Sequence, residues 1–317
     1  MKPMNHLKSI FLASALILGI SITAHAEINV VSSVKPLHSL VSGVMEGVAR
    51  PDLIVKGSAS PHTYSLRPSQ ARQLEDADLV FWMGHELESF LEQPLEAIAT
   101  KGHIVELIDS SKLKKIKMRE GGMFDAHAHD DHDEHEGHDD HGHGEFDVHV
   151  WLDPENAKVL VDEIKLALIE LDPVNSSKYE SNSNKMNMKL DQLIDEVSKK
   201  LESEQGKGYV VFHDAYQYFE QRFGMSAVGS ITVSPEVVPG ANRIRELKNK
   251  INELNAQCVF SEPQFEPKLV STVIEGTQAN TGVLDPLGAS INDGPELYFT
   301  LIRNMADSLH ECLSKKD

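Results

Sequence analysis

The sequence predicts an α/β protein of two lobes joined by a long helix, with a cleft between the lobes. Three observations carry this. Short β-branched runs alternate with helical patterns twice along the chain, once before residue 121 and again after residue 206. Between them an amphipathic pattern runs over residues 176–204. A tract of His, Asp, Glu and Gly interrupts the chain over residues 121–147 and offers almost nothing apolar to bury. Strands alternating with helices argue for parallel-type sheets covered on both faces.

The chain of 317 residues opens with Lys2 and Lys8, an apolar run from Ile10 to Ile22, and Ala24-His25-Ala26. That order predicts a signal peptide over residues 1–26, cleaved after Ala26. The apolar run falls short of the roughly 20 residues a spanning helix needs. Glu27 would then lead the mature chain, with no cysteine there to accept a lipid. The expected compartment is a periplasm. Without Lys2 and Lys8 the chain carries 28 basic and 49 acidic side chains, a net charge of −21, and ten of those acids lie between Asp125 and Asp147. Such a surface excludes nucleic acid as a partner, since phosphate binding needs a basic face.

In the N-terminal lobe, over residues 27–155, "INVVSSV", "ARPDLIV", "DADLVFWMG" and "GHIVELI" read as buried strands. Residues 68–75 and 87–99 read as helices. The polar tract follows and is expected to be a flexible loop. In "DVHVWLDPENA" the alternation predicts a strand, with Val148 and Val150 on one face and His149 and Trp151 on the other. Asp153 then reads as an N-cap before Pro154 at the first helical position.

Two linking helices occupy residues 156–205. In the first, Leu160, Ile164, Ala167, Leu168 and Leu171 form one stripe, and Pro173 ends it. The second spans residues 176–204, roughly 44 Å at helical rise, a length that suits a strut between lobes. The C-terminal lobe, over residues 206–317, resumes the alternation. "GYVVFHD", "SAVGSIT", "AQCVFSEPQ" and "NTGVLDPLG" are its strands; residues 215–223, 241–254, 268–278 and 294–313 are its helices. Cys258 and Cys312 are the only cysteines, and an even pair in an exported chain predicts a disulfide. Thiolate metal ligation is the alternative.

Ligands of open α/β sheets bind beyond the carboxyl ends of strands. Metal-capable residues recur there: His213 ends one strand, Glu262 and Asp285 end two others, His149 lies near the end of "DVHVW", and His62 sits in the turn after a strand. Each is weak evidence by itself, but the shared position points to one metal site. His38, His85 and His103 have no such setting and read as structural or exposed, and Trp82 and Trp151 as core.

"SPHTYSLRPSQ", "DVHVWLDPENA", "FHDAYQYF", "VSPEVVPGA", "SEPQF" and "LDPLG" together resemble the metal-binding solute receptors of ABC transporters, most closely the periplasmic zinc-binding components. The resemblance covers the whole mature chain. It implies two Rossmann-like lobes joined by a rigid helix and a metal in the interlobal cleft, with His62, His149 and His213 as ligands. A membrane permease is the implied partner of a receptor that is not an enzyme and works as a monomer.

His213 separates zinc from manganese, because manganese receptors of this kind carry a carboxylate there, as a harder ion prefers. Three imidazoles favour Zn²⁺ and leave a fourth position. Enteric relatives often have an acid just before the first histidine, where this chain has Pro61, so the fourth ligand is Asp285 or water. Other readings fit less directly: a manganese or other divalent-metal receptor of the same kind, a zinc-dependent hydrolase or hydratase, and a metal-buffering or adhesive surface protein. The seven histidines from His127 to His143 are expected to bind zinc weakly, as a collector or sensor, or else to be a tolerated insertion.

Overall fold

The computed structural model describes residues 28–119, 124, 145–232, 240–254, 256–266 and 268–315. The signal segment and His127–His143 lie outside the described residues. The first lobe is a sheet of β1 (Val30–Ser32), β2 (Asp52–Leu53), β3 (Leu79–Trp82) and β4 (His103–Glu106), in the order β2-β1-β3-β4 and parallel throughout. The second repeats that order as β6-β5-β7-β8, with β5 (Tyr209–Val211), β6 (Gly229–Ser230), β7 (Cys258–Ser261) and β8 (Asn280–Val283). In each sheet the strand order reverses beside the first strand, which opens a crevice at the carboxyl ends of β1 and β3, and of β5 and β7.

Nine α-helices are described: α1 (Lys35–Val44), α2 (Pro68–Asp76), α3 (Ser89–Ile98), α4 (Pro154–Leu171), α5 (Ser176–Leu201), α6 (Gln217–Phe223), α7 (Ala241–Glu253), α8 (Lys268–Ile274) and α9 (Leu297–Leu313). The strut α5 has 26 residues, about 39 Å. It runs parallel to α9, for the ion pairs Lys189–Glu296, Glu196–Arg303 and Lys200–Asp307 share one offset of 107 residues. Pairs this exposed stabilise little, but they mark the register.

Two sequence expectations change. The sequence reading missed α1, although Leu37, Leu40, Val41 and Val44 recur there at i, i+3, i+4 and i+7; nine of its ten residues are buried, Lys35, His38 and Ser39 among them. The second change concerns "DVHVW", which is not a strand. Val150–Leu152 form one turn of 3₁₀ helix with His149 as its cap, and every residue from Asp147 to Asp153 is buried. Alternation signals a strand only when one face meets solvent, and here neither does. The start of α4 is as expected, since Asp153 accepts a hydrogen bond from Glu155 N at 2.9 Å.

One core runs through both lobes, joining Val31, Phe81, Trp151, Leu190, Tyr209 and Tyr298. The second sheet divides its residues by period two. Tyr209, Val211, Cys258 and Phe260 face this shared core, while Val210, Phe212 and Val259 face a smaller one under α7 and α8. The lobes are also stitched directly: Trp151 Nε1 donates to Pro286 O at 2.9 Å, and Lys35 Nζ to Ile291 O at 2.7 Å. The expected disulfide Cys258–Cys312 is formed and ties β7 to α9.

Candidate metal centre

His62, His149 and His213 come from three different segments and converge. His62 lies on a 3₁₀ turn, Pro61–Thr63, in the connection between β2 and α2. His149 caps the 3₁₀ turn before α4, and His213 follows β5 at the reversal point of the second sheet. Each offers one ring nitrogen, and the three nitrogens lie within 4.8 Å of one another. His149 Nε2 and His213 Nε2 are 3.4 Å apart. Two nitrogens each about 2.0–2.1 Å from one tetrahedral ion stand roughly 3.3–3.4 Å apart, so this pair already has the spacing zinc requires.

The opposite ring edges explain why Nε2 faces inward. Asp147 Oδ1 accepts from His149 Nδ1 at 2.7 Å, and Glu262 Oε1 from His213 Nδ1 at 2.6 Å. Both carboxylates are buried. Each fixes the tautomer of its imidazole and makes the free nitrogen a better donor to a cation. The sequence reading counted Asp147 among the acids of the polar tract and Glu262 as metal-capable. Neither was recognised as an imidazole partner, because that pairing joins residues 49 apart for Glu262 and hides within a misread strand for Asp147.

Burial sets the titration of the site. It lowers the pKa of His62 and His149, and the neighbouring imidazoles lower both further. Burial also pulls His213 down, but Glu262, Asp214 and Asp147 outweigh it and leave His213 above its ordinary value. Burial raises Asp147 to about 7. The cavity between the histidines measures about 10 Å³, room for one ion or water. Leu87, Trp151, Phe265, Pro286 and Leu287 line it with apolar surface.

Asp285 stands apart from the three-histidine group. Its carboxylate accepts from Leu287 N, Gly288 N and Ala289 N and from Gln264 Nε2, at 2.6 to 3.1 Å. It thereby shapes the turn that brings Pro286 and Leu287 to the cavity. Asp214 accepts from Arg119 Nε and Nη2. His38 Nε2 donates to Pro51 O, and exposed His85 meets Glu106.

Residues 30–312 match the model of the periplasmic zinc-uptake complex component A family. The chain belongs to that family. It is 51% identical to the high-affinity zinc uptake system protein ZnuA of Brucella suis, over 98% of this chain and 100% of the relative. It is 37% identical to the protein of the same name from Yersinia pestis, over 97% and 98%. A crystal structure of ZnuA superposes with a TM-score of 0.75 at 22% identity, covering 91% of this chain and 100% of that one. The periplasmic zinc binding protein TroA of Treponema pallidum gives 0.76 at 19%, covering 92% and 100%. At such identity these two establish the two-lobed fold. Members of the family are zinc-binding transport receptors rather than enzymes, and so is this chain. The hydrolase and manganese readings are therefore not favoured. Solute-binding proteins of this family are exported and work with ABC permeases.

Proposed function

We propose that the mature chain, beginning at Glu27 after cleavage behind Ala26, captures one Zn²⁺ tightly through one ring nitrogen each of His62, His149 and His213. It then hands the ion, as a monomer, to a membrane permease. The observation carrying this is the convergence of three imidazoles from separate segments, two of them at tetrahedral spacing. The donor set suits zinc, and Asp147 and Glu262 neutralise its charge inside an apolar cavity. Water fills the fourth position, because the Asp285 carboxylate is engaged by four hydrogen-bond donors. The lobes correspond to residues 27–155 and 206–317, linked by 156–205. No described helix is long and apolar enough to cross a membrane.

Titrating zinc into the chain with residues 125–145 deleted tests this reading. One tight ion per chain is expected, with only weaker sites removed. Loss of the tight ion would place zinc on the histidines of the tract instead.

A further inference from the structure

His149 and His213 belong to opposite lobes, yet one short helix fastens both. From α6, Gln217 Nε2 donates to Asp147 Oδ2 at 3.1 Å, on the carboxylate that holds His149. Tyr218 OH donates to Asp147 O at 2.7 Å and accepts from Ile116 N at 3.0 Å. Arg222 makes a two-pronged pair with Asp153, at 2.6 and 2.8 Å, directly behind the turn that carries His149. Arg119 bridges Glu220 of α6 to Asp214, the neighbour of His213. The bracket's partners in the first lobe thus fall within residues 116–119 and 147–153. His62 rides on a different stretch, between β2 and α2, and keeps part of its surface exposed.

We infer that α6 preassembles His149 and His213 into a two-nitrogen seat for the incoming ion, and that His62 engages last. Resting on the three-histidine assignment, this adds the order of engagement and names Gln217 as a positioning residue. The seat is already assembled in this arrangement, its 3.4 Å spacing being that of a bound ion. A ligand that arrives last governs escape rather than capture. Variation in affinity then appears mainly in the dissociation rate.

Stopped-flow mixing of zinc with the mature chain reads this through the fluorescence of Trp151, whose ring lies 5.3 Å from that of His149. For His62→Ala, association should stay within about twofold of wild type while dissociation into excess chelator accelerates by about 100-fold or more. For Gln217→Leu, association itself should slow several-fold while dissociation changes less. A mere packing defect would not divide the rates this way. The order is overturned if His62→Ala slows association as severely as His149→Ala, or if Gln217→Leu leaves association unchanged. If no histidine variant alters either rate, the ligand assignment itself fails.

Discussion

Glu262 and Asp285 make an instructive pair. Each is a carboxylate just past the carboxyl end of a strand, one residue after β7 and two after β8, and those strands are neighbours in the sheet. Glu262 is buried and turns an oxygen to His213 Nδ1. Asp285 is partly exposed and meets three backbone amides and a side-chain amide. One tunes a metal ligand; the other builds a turn. Both are carboxylates placed just beyond a strand end, so the donors around each one decide its role.

The largest effect should come from the ligand that Glu262 holds. His213→Ala is expected to weaken zinc binding by several orders of magnitude in a competition titration, since only two imidazoles remain. Wild-type affinity in that variant would remove His213 from the site.

Acidification is the next lever. Only neutral imidazole coordinates, so protons compete with zinc. His213 in the metal-free state titrates above its ordinary value, while His62 and His149 titrate below theirs. Zinc affinity is therefore full above the His213 pKa and lost as pH falls through it, with His213 taking the first proton. Between pH 7.5 and 5 affinity should fall at least about tenfold, measured by competition titration. A flat profile would contradict a site dominated by histidine.

Neutralising the partner sharpens the contrast. Glu262→Gln should cost about 10–100-fold in zinc affinity, the usual effect of losing a carboxylate behind a metal-bound imidazole. Asp285→Asn should move zinc affinity least, by less than about twofold, and instead lower the melting temperature as the 286–289 turn loses about 1–3 kcal/mol of hydrogen bonding. A larger affinity loss for Asp285→Asn than for Glu262→Gln would reverse the roles given to the two carboxylates.

Much of this was legible in the sequence, and the exceptions have physical causes. Alternating β-branched and helical runs outline both sheets, and Asp153-Pro154 marks the start of α4 because N-cap chemistry is local. The convergence of His62, His149 and His213 was expected from the family resemblance and a shared strand-end reading, which holds for His213 but not for His149 on its 3₁₀ turn. What escaped was nonlocal or fully buried. Helix α1 carries a helical period in Leu37, Leu40, Val41 and Val44 but escapes as a short stretch between two strand-like runs, and "DVHVW" alternates without being a strand because the shared core surrounds it. Asp147 lies only two residues from His149 but inside the misread stretch, whereas the imidazole partner Glu262 and the bracket on α6 depend on side chains 49 to 102 residues apart. No sequence window spans such pairings.

Zinc K-edge X-ray absorption on the mature chain loaded with one equivalent of metal tests the central claim most directly. The account predicts three imidazole nitrogens and one water oxygen at about 2.0–2.1 Å, with one imidazole missing in His213→Ala. A spectrum with a bidentate carboxylate, or one unchanged by His213→Ala, would contradict it.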